Sequence, residues 1–376
     1  MLVSNVSWTE IMSDEVQTKV RAGIKKMVKG KSEAQLSDSV DVLILTTAHD
    51  AEDGRLIRHQ NSFGRAGISA VIVSLQFKSR LSRFVKGTIR SLRVIKQIKP
   101  RCILLPDPEL HLFLSPLIYK KYRVIADVHE DYSSVTFDRY WLKGFAAKAV
   151  RFCLKVLPKV RSSFSHIEIV ANPNYGSRGC ILVENIPHRD DLPDRSDSPD
   201  LRAVYVGDIR ESRGIERMLQ LTAEIPELHL DLIGPCSFPE RLQVRIKELG
   251  LRERVIWHGR KSYTDSWKLA SKSTIGLCLL DDTPAFQEAI PSKIWEYWCL
   301  GLPVLVTNLR SMAALVNKVQ GGMVLNSEDD TNRIVAWLRD SSMLDEQGKR
   351  GFKAFSQSSE QNANRLVSAY HKALRS

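Results

Sequence analysis

Short apolar runs recur at 41–46, 68–75, 102–105, 123–128, 166–170 and 181–184, each separated from the next by a stretch with helical spacing of apolar positions. Such runs, bounded by Gly, Pro, Asp or Asn, predict buried parallel strands, and the stretches between them predict crossover helices. The alternation stops at 186–200, IPHRDDLPDRSDSPD, whose Pro and Asp content predicts an interdomain linker. It resumes with strands predicted at 202–206, 229–233, 254–258, 274–280, 303–307 and 322–325. The pattern therefore predicts two doubly wound, Rossmann-like α/β units, 39–185 and 201–356, with right-handed crossovers and a C-terminal helical segment over 357–376. Residues 1–38 read as an extension, in which Ser13-Asp-Glu suits the cap of a short basic helix ending near Gly30.

The densest chemistry lies in Glu288–Pro303, EAIPSKIWEYWCLGLP. Pro291 suits the first turn of a helix, so free backbone N–H groups near Ser292 and Lys293 face whatever precedes it, and phosphate fits such a place. One turn further in, Glu296 can accept hydrogen bonds from vicinal hydroxyls such as those of a ribose. Glu288 stands before the helix on a loop, free to reach a different set of hydroxyls, and Gly301-Leu-Pro303 ends the helix ahead of an apolar strand. Glu288, seven residues and Glu296 resemble the Glu-x7-Glu motif of the retaining glycosyltransferases of family 4. The run Pro291-Ser-Lys-Ile-Trp-Glu-Tyr297 is similar to the P-[ST]-K-[LF]-x-E-Y variant of bacterial polysaccharide-assembly members.

Other segments extend the resemblance in chain order, from Val40 into the C-terminal tail. Residues 201–234 read as strand, Gly turn, helix and strand, and resemble the family's phosphate-clamp segment, with Gly207 in the turn and Arg213-Gly214 in the place of the basic-Gly pair. A guanidinium there can hold a diphosphate bidentately. Many members carry a basic residue directly after the first Gly; this chain has Asp208 there, and Arg210 is the substitute. Glu253–Leu280 looks like the segment whose loop meets the base, which makes Gly259 and Arg260 the nucleobase rim and leaves His258 a packing residue. In the first half, Asp53-Gly-Arg55 resembles an Asp-x-Arg element on the opening loop, and Val124–Ser134 resembles a D-x-H-E segment, placing His129 and Glu130 at a strand's carboxyl end, where open α/β sheets bind ligands.

The resemblance implies a GT-B fold, two Rossmann-like domains facing a central cleft, whose last helix returns to the N-terminal domain. It also implies transfer of a sugar from a nucleotide-diphosphate donor with retention, by front-face attack assisted by the departing phosphate. His129 and Glu288 would then be the catalytic pair. Gly207, Arg210, Arg213, Gly259, Arg260, Ser292, Lys293 and Glu296 would hold the donor, and Asp53, Arg55 and Glu130 would face the acceptor. The chain has no Asp-x-Asp triplet, and protein cations can offset the phosphate charge, so neither a metal nor a cofactor is expected. Two other readings share the architecture: a nucleotide-sugar epimerase, and a noncatalytic scaffold of a glycan-assembly complex.

Composition narrows the setting. At 376 residues and 43% hydrophobic content the chain is long enough for more than one core. Its six cysteines are widely spaced without a C-x-x-C pair, which argues against metal ribbons and disulfide frameworks. No apolar run approaches the ~18 residues of a membrane span, and a cytoplasmic location, peripheral on the inner face of the plasma membrane, is expected. The net charge of +12 is local: Phe77–Arg101 carries nine Lys and Arg and Arg139–Arg161 seven, neither with an acid. Apolar residues recur beside them, Leu81, Phe84, Val85, Ile89, Leu92 and Ile95 in the first and Tyr140, Trp141, Leu142 and Phe145 in the second. Basic amphipathic helices of this kind suit an anionic membrane surface, the setting of a lipid-linked or glycan acceptor. No nucleic-acid recognition module accompanies the charge.

Overall fold

A computed structural model describes residues 40–51, 53–77, 80–129, 144–196, 200–326 and 331–376. The chain forms two compact units: one runs to Asn185 and takes in Gln361–Ser376, and the other is Ile186–Glu360.

In the first unit, strands β1 (Val42–Thr46), β2 (Ala70–Ser74), β3 (Cys102–Leu105), β4 (Arg123–Val128), β5 (Ile167–Val170) and β6 (Ile181–Leu182) form one parallel sheet in the order β2-β1-β3-β4-β5-β6. Every residue of β1, β2 and β3 is buried, because helices cover both faces and no position is left for water. The chain moves from β1 outward to β2, then back past β1 to β3 and onward. Right-handed crossovers therefore put α1 (Gly54–Arg65) on one face, and α2 (Arg80–Ile98), α3 (Pro108–Phe113), α4 (Ser115–Ile118) and α5 (Gly144–Ser163) on the other. The cores agree: Leu56 and Phe63 of α1 pack on Val42, Ile44 and Ile72, whereas Val94 and Ile95 of α2, Leu110 of α3 and Ile118 of α4 pack on Leu43, Leu45 and Val71.

In the second unit, β7 (Arg202–Val206), β8 (His229–Ile233), β9 (Val255–Trp257), β10 (Ile275–Cys278), β11 (Val304–Thr307) and β12 (Gly322–Leu325) form a parallel sheet in the order β12-β11-β10-β7-β8-β9. Helices α6 (Ile215–Glu224), α7 (Pro239–Glu248), α8 (Tyr263–Ala270), α9 (Pro284–Gln287), α10 (Ser292–Cys299), α11 (Arg310–Val319) and α12 (Thr331–Arg339) connect the strands. The order reverses at β7, so the crevice between the carboxyl ends of β7 and β10 is the place where a doubly wound sheet takes a ligand. Helix α10 faces it, anchored from below by Ile294, Tyr297 and Trp298, each fully buried.

The last helix, α13, spans Ser341–Arg375 and so begins well before the expected start near Gln357. Gly348 and Gly351 lie inside it, and a methyl group on either would stand 2.2 Å from the Gly301 carbonyl oxygen or 2.3 Å from the Trp298 ring. These glycines let the helix run close against the second unit's core. Its end belongs to the first unit, where Leu366, Ala369 and Tyr370 join the cluster around β1 and α1, and Asn362 exchanges two hydrogen bonds, of 2.7 and 2.9 Å, with the Glu184 backbone. Among the described residues no helix is long and apolar enough to cross a membrane.

Candidate functional site

At the carboxyl end of the second sheet, two glycine turns set the geometry. Gly214 has φ of 74°, and a Cβ there would lie 1.7 Å from the Leu279 carbonyl oxygen, so only glycine lets the Arg213-Gly214 turn seat on the end of β10. Gly207 follows β7, and a Cβ there would meet the Lys293 Nζ at 2.9 Å. That ammonium lies 3.8 Å from the centroid of the Tyr205 ring, whose hydroxyl donates to the Asp208 carbonyl at 2.8 Å. Gly234, which sequence reasoning passed over, backs directly on the Gly207 carbonyl and donates its N–H to the Gly259 carbonyl at 2.9 Å. Three loops thus meet backbone to backbone beyond β7, β8 and β9, and the Gly-Pro pair at 234–235 was the available signal.

Lys293 comes from the first turn of α10, which Pro291 precedes as N-cap without a side-chain cap. Arg213 stacks on the Phe286 ring at 5.0 Å. Burial pushes the Cys278 thiol upward in pKa, while the positive charges of Lys293 and Arg213 act in the opposite direction, which places both cations around the end of β10. Among the described residues neither cation forms an ion pair with a carboxylate. Cations placed near a helix N-terminus add to the partial positive charge of its free N–H groups, an arrangement that suits an anion. Glu296, only 3% exposed, accepts hydrogen bonds from the Tyr263 hydroxyl at 2.9 Å and the Ser292 hydroxyl at 3.4 Å. This carboxylate is thereby fixed one turn inside the helix, where its oxygens act only as acceptors.

Three expected ligand groups are already engaged. Glu288 does not stand free: it closes α9, and its carboxylate is bound by Arg310 at 2.6 Å and Ser311 at 3.3 Å. Arg210 pairs at the surface with Asp208 at 2.7 Å, the acid that stands in place of the usual basic residue, and Lys293 is the cation that lies at the Gly207 turn. Arg55 points into the core, where it binds Asp127 at 2.6 Å together with His59 at 3.1 Å. Burial alone would raise the Asp127 carboxyl; the charges of Arg55 and His59 hold it well below the ordinary range, and an acid inside a sheet needs that cation more than the loop does. Arg260 is exposed beside Gly259.

At the carboxyl ends of β1 and β3 in the first unit, fully buried Asp107 accepts from the Thr46 hydroxyl at 3.0 Å, the Thr47 hydroxyl at 3.1 Å and the Ala48 amide at 3.1 Å. It thereby fixes the loop carrying His49. The His49 ring lies 3.2 Å from Asp53 and 3.5 Å from Asp107, and sits edge-on to His129 with 4.9 Å between centroids. Asp53 also caps α1 through the Arg55 and Leu56 amides; burial would raise its pKa, but the hydrogen bond and charge of His49 and these two amides bring it down to about 2. Thus Asp53 and His129 come together through His49, a residue sequence reasoning did not single out. Glu130 lies outside the described residues.

Residues 190–354 match the glycosyl transferases group 1 family. No curated protein matches the chain. Among solved structures, sucrose-phosphate synthase from Thermosynechococcus elongatus superposes with a TM-score of 0.69 at 14% identity, over 88% of this chain and 98% of that one. The Anabaena protein HepE, solved in complex with UDP, gives 0.64 at 13% identity over 87% and 100%. The fold is GT-B. WaaG, a glycosyltransferase involved in lipopolysaccharide biosynthesis, shares this GT-B likeness at a TM-score of 0.58 and 12% identity, over 87% of this chain and 99% of its own. The GT-B likeness takes in both units, whereas the family match falls within the second.

Proposed function

We propose that this chain is a retaining glycosyltransferase that moves a sugar from a nucleotide-diphosphate donor to a hydroxyl of a lipid-linked or membrane-proximal glycan. The observation that carries the reading is the pair of cations beside the N-terminus of α10, Arg213 and Lys293, neither bound to a carboxylate among the described residues. As the bond between sugar and phosphate breaks, negative charge grows on the leaving diphosphate. Preorganised cations there stabilise the transition state more than the ground state. Arg213 offers the bidentate fork and Lys293 the point charge, and together they supply the compensation that a metal supplies in other sites.

Glu296 takes the ribose hydroxyls, one turn inside the helix that faces the diphosphate. Glu288 takes the transferred sugar by exchanging its Arg310 partner for sugar hydroxyls. That exchange is feasible because Arg310 is 74% exposed, and exposed pairs contribute only about 0–1 kcal/mol. His129, held by His49, supports departure of the leaving group through a hydrogen bond, and Asp53 sets the orientation of His49. UDP in the HepE complex makes uridine sugars the first donors to try.

The test is a thermal-shift screen of nucleotide sugars, in which a bound donor raises apparent stability by mass action. It is followed by proton NMR of the transfer product to read the anomeric configuration. Retention with an acceptor-dependent product supports the proposal; donor isomerised without acceptor would mean an epimerase, and donor neither bound nor consumed would remove the catalytic reading.

A further inference from the structure

Sequence reasoning predicted basic faces on 77–101 and 139–161; the structure adds a third between them. On α2, Lys86, Ile89, Arg93 and Lys96 recur at helical spacing, and all four are exposed. On α5, Phe152, Lys155 and Lys159 do the same, with Phe152 65% exposed. The short helices α3 and α4 carry Phe113 and Leu117, 43% and 63% exposed, followed by exposed Lys120 and Lys121. The three stripes lie in one layer: α2 to α5 cover the same face of the first sheet, and α3 packs against α2, α4 and α5. Side chains directed away from the sheet therefore leave the unit on one side.

The charge on that side has one sign. Between Arg80 and Lys121 the only acids are Asp107 and Glu109, which are 0% and 5% exposed, Glu109 being bound by Arg83 at 2.7 Å; α5 contains no acid. Four exposed apolar side chains interleaved with Lys and Arg, and no exposed carboxylate among these described residues, suit a surface that is both anionic and apolar within. A nucleic acid would use the cations but leave Ile89, Leu117 and Phe152 idle. An acidic protein surface would do little better for them. A lipid leaflet uses both.

We propose that α2, α3–α4 and α5 form one docking surface for an anionic lipid leaflet, with Ile89, Phe113, Leu117 and Phe152 entering the headgroup boundary and Lys86, Arg93, Lys96, Lys120, Lys121, Lys155 and Lys159 meeting the lipid charge. This deepens the membrane-proximal acceptor reading, but its measurement needs neither donor nor acceptor, so it stands or falls separately from the chemistry. The full chain is titrated with vesicles of phosphatidylcholine containing phosphatidylglycerol, and with phosphatidylcholine alone. Each cation near such a surface contributes about fivefold to partitioning, so Lys86→Gln/Arg93→Gln/Lys96→Gln weakens binding about a hundredfold. Leu117→Trp, at an exposed position that tolerates the change, reports insertion: its emission shifts to the blue with anionic vesicles. Wild-type binding without preference for the anionic lipid, or Leu117→Trp emission that no vesicle shifts, overturns the proposal. So does salt-sensitive binding to single-stranded RNA in place of vesicles. Unchanged urea midpoints for the variants show that the loss is one of docking and not of folding.

Discussion

Replacing Gly207 by alanine tests whether the glycine is there to make room for a cation. The new Cβ would lie 2.9 Å from the Lys293 Nζ, 3.4 Å from the Tyr205 hydroxyl and 3.7 Å from the Lys293 Cε. The closest atom is the tip of a flexible side chain, so the ammonium moves and the backbone stays. The φ of 142° at this position costs an alanine about 1–3 kcal/mol of stability, a loss a well-cored domain survives. The larger effect is on binding. Displaced from the Tyr205 ring, Lys293 would lose the charge-assisted contact proposed for it with the diphosphate, a contact of about 1.5–3 kcal/mol, or about 10- to 150-fold in dissociation constant. Isothermal titration with UDP and other nucleoside diphosphates measures this on Gly207→Ala, Lys293→Met and the double variant, with urea titrations as a folding control. If Gly207→Ala acts through Lys293, the double variant binds no worse than Lys293→Met, and the coupling energy is about as large as either single effect. Additive losses would show that the alanine obstructs the ligand itself. Undiminished affinity in Lys293→Met would remove Lys293 from the clamp altogether.

Glu296→Ala should weaken donor binding, while Glu288→Ala should mainly lower turnover, because ribose is held equally before and during transfer and the sugar changes charge; titration and initial rates on both decide it, and undiminished affinity in Glu296→Ala refutes the ribose role. Arg213→Gln should cost about 2–4 kcal/mol of transition-state stabilisation in kcat/KM, and wild-type transfer should survive EDTA; loss on chelation with recovery on magnesium or manganese would show that the cations do not suffice. Stability should fall with acid well before the carboxylates titrate. Burial, then the charge of Arg161, depress His111 to about 4, so it stays neutral in the folded protein while the unfolded chain protonates near 6.5. Its contribution is complete above pH ~6.5 and is lost as pH drops to 4, about 3 kcal/mol in all. His59, lowered chiefly by burial, acts in the same direction. Urea unfolding of wild type and His111→Asn at pH 7 and pH 4.5 should show a smaller acid loss in the variant, and equal losses would mean that His111 does not titrate there.

Much of the fold was legible because its strands are buried on both faces and therefore appear as unbroken apolar runs. The twelve strands among the described residues fall where those runs predict, shortened at most by a few terminal residues. The start of α10 was equally plain, since Pro291 and the apolar residues Ile294, Trp295, Tyr297 and Trp298 are local signals. The start of α13 was not, because Gly348 and Gly351 are chosen for contacts with Gly301 and Trp298 that the linear sequence does not show.

The sequence by itself determined two parallel-sheet units, the element presenting Lys293 and Glu296, and the concentration of cations in two segments. Those follow from periodicity, capping and composition, all of which act within a few residues. Only the tertiary structure decided which charges are available to a ligand. It turned Arg55 inward onto Asp127, paired Arg210 with Asp208 and Glu288 with Arg310 at the surface, gave Arg213 and Lys293 no carboxylate among the described residues, and set α3–α4 between the two basic helices. Each outcome depends on what stands within a few ångströms in space. Asp127, buried inside its sheet, claims Arg55 from 72 residues away, and that distance in space is not written in the order of the residues.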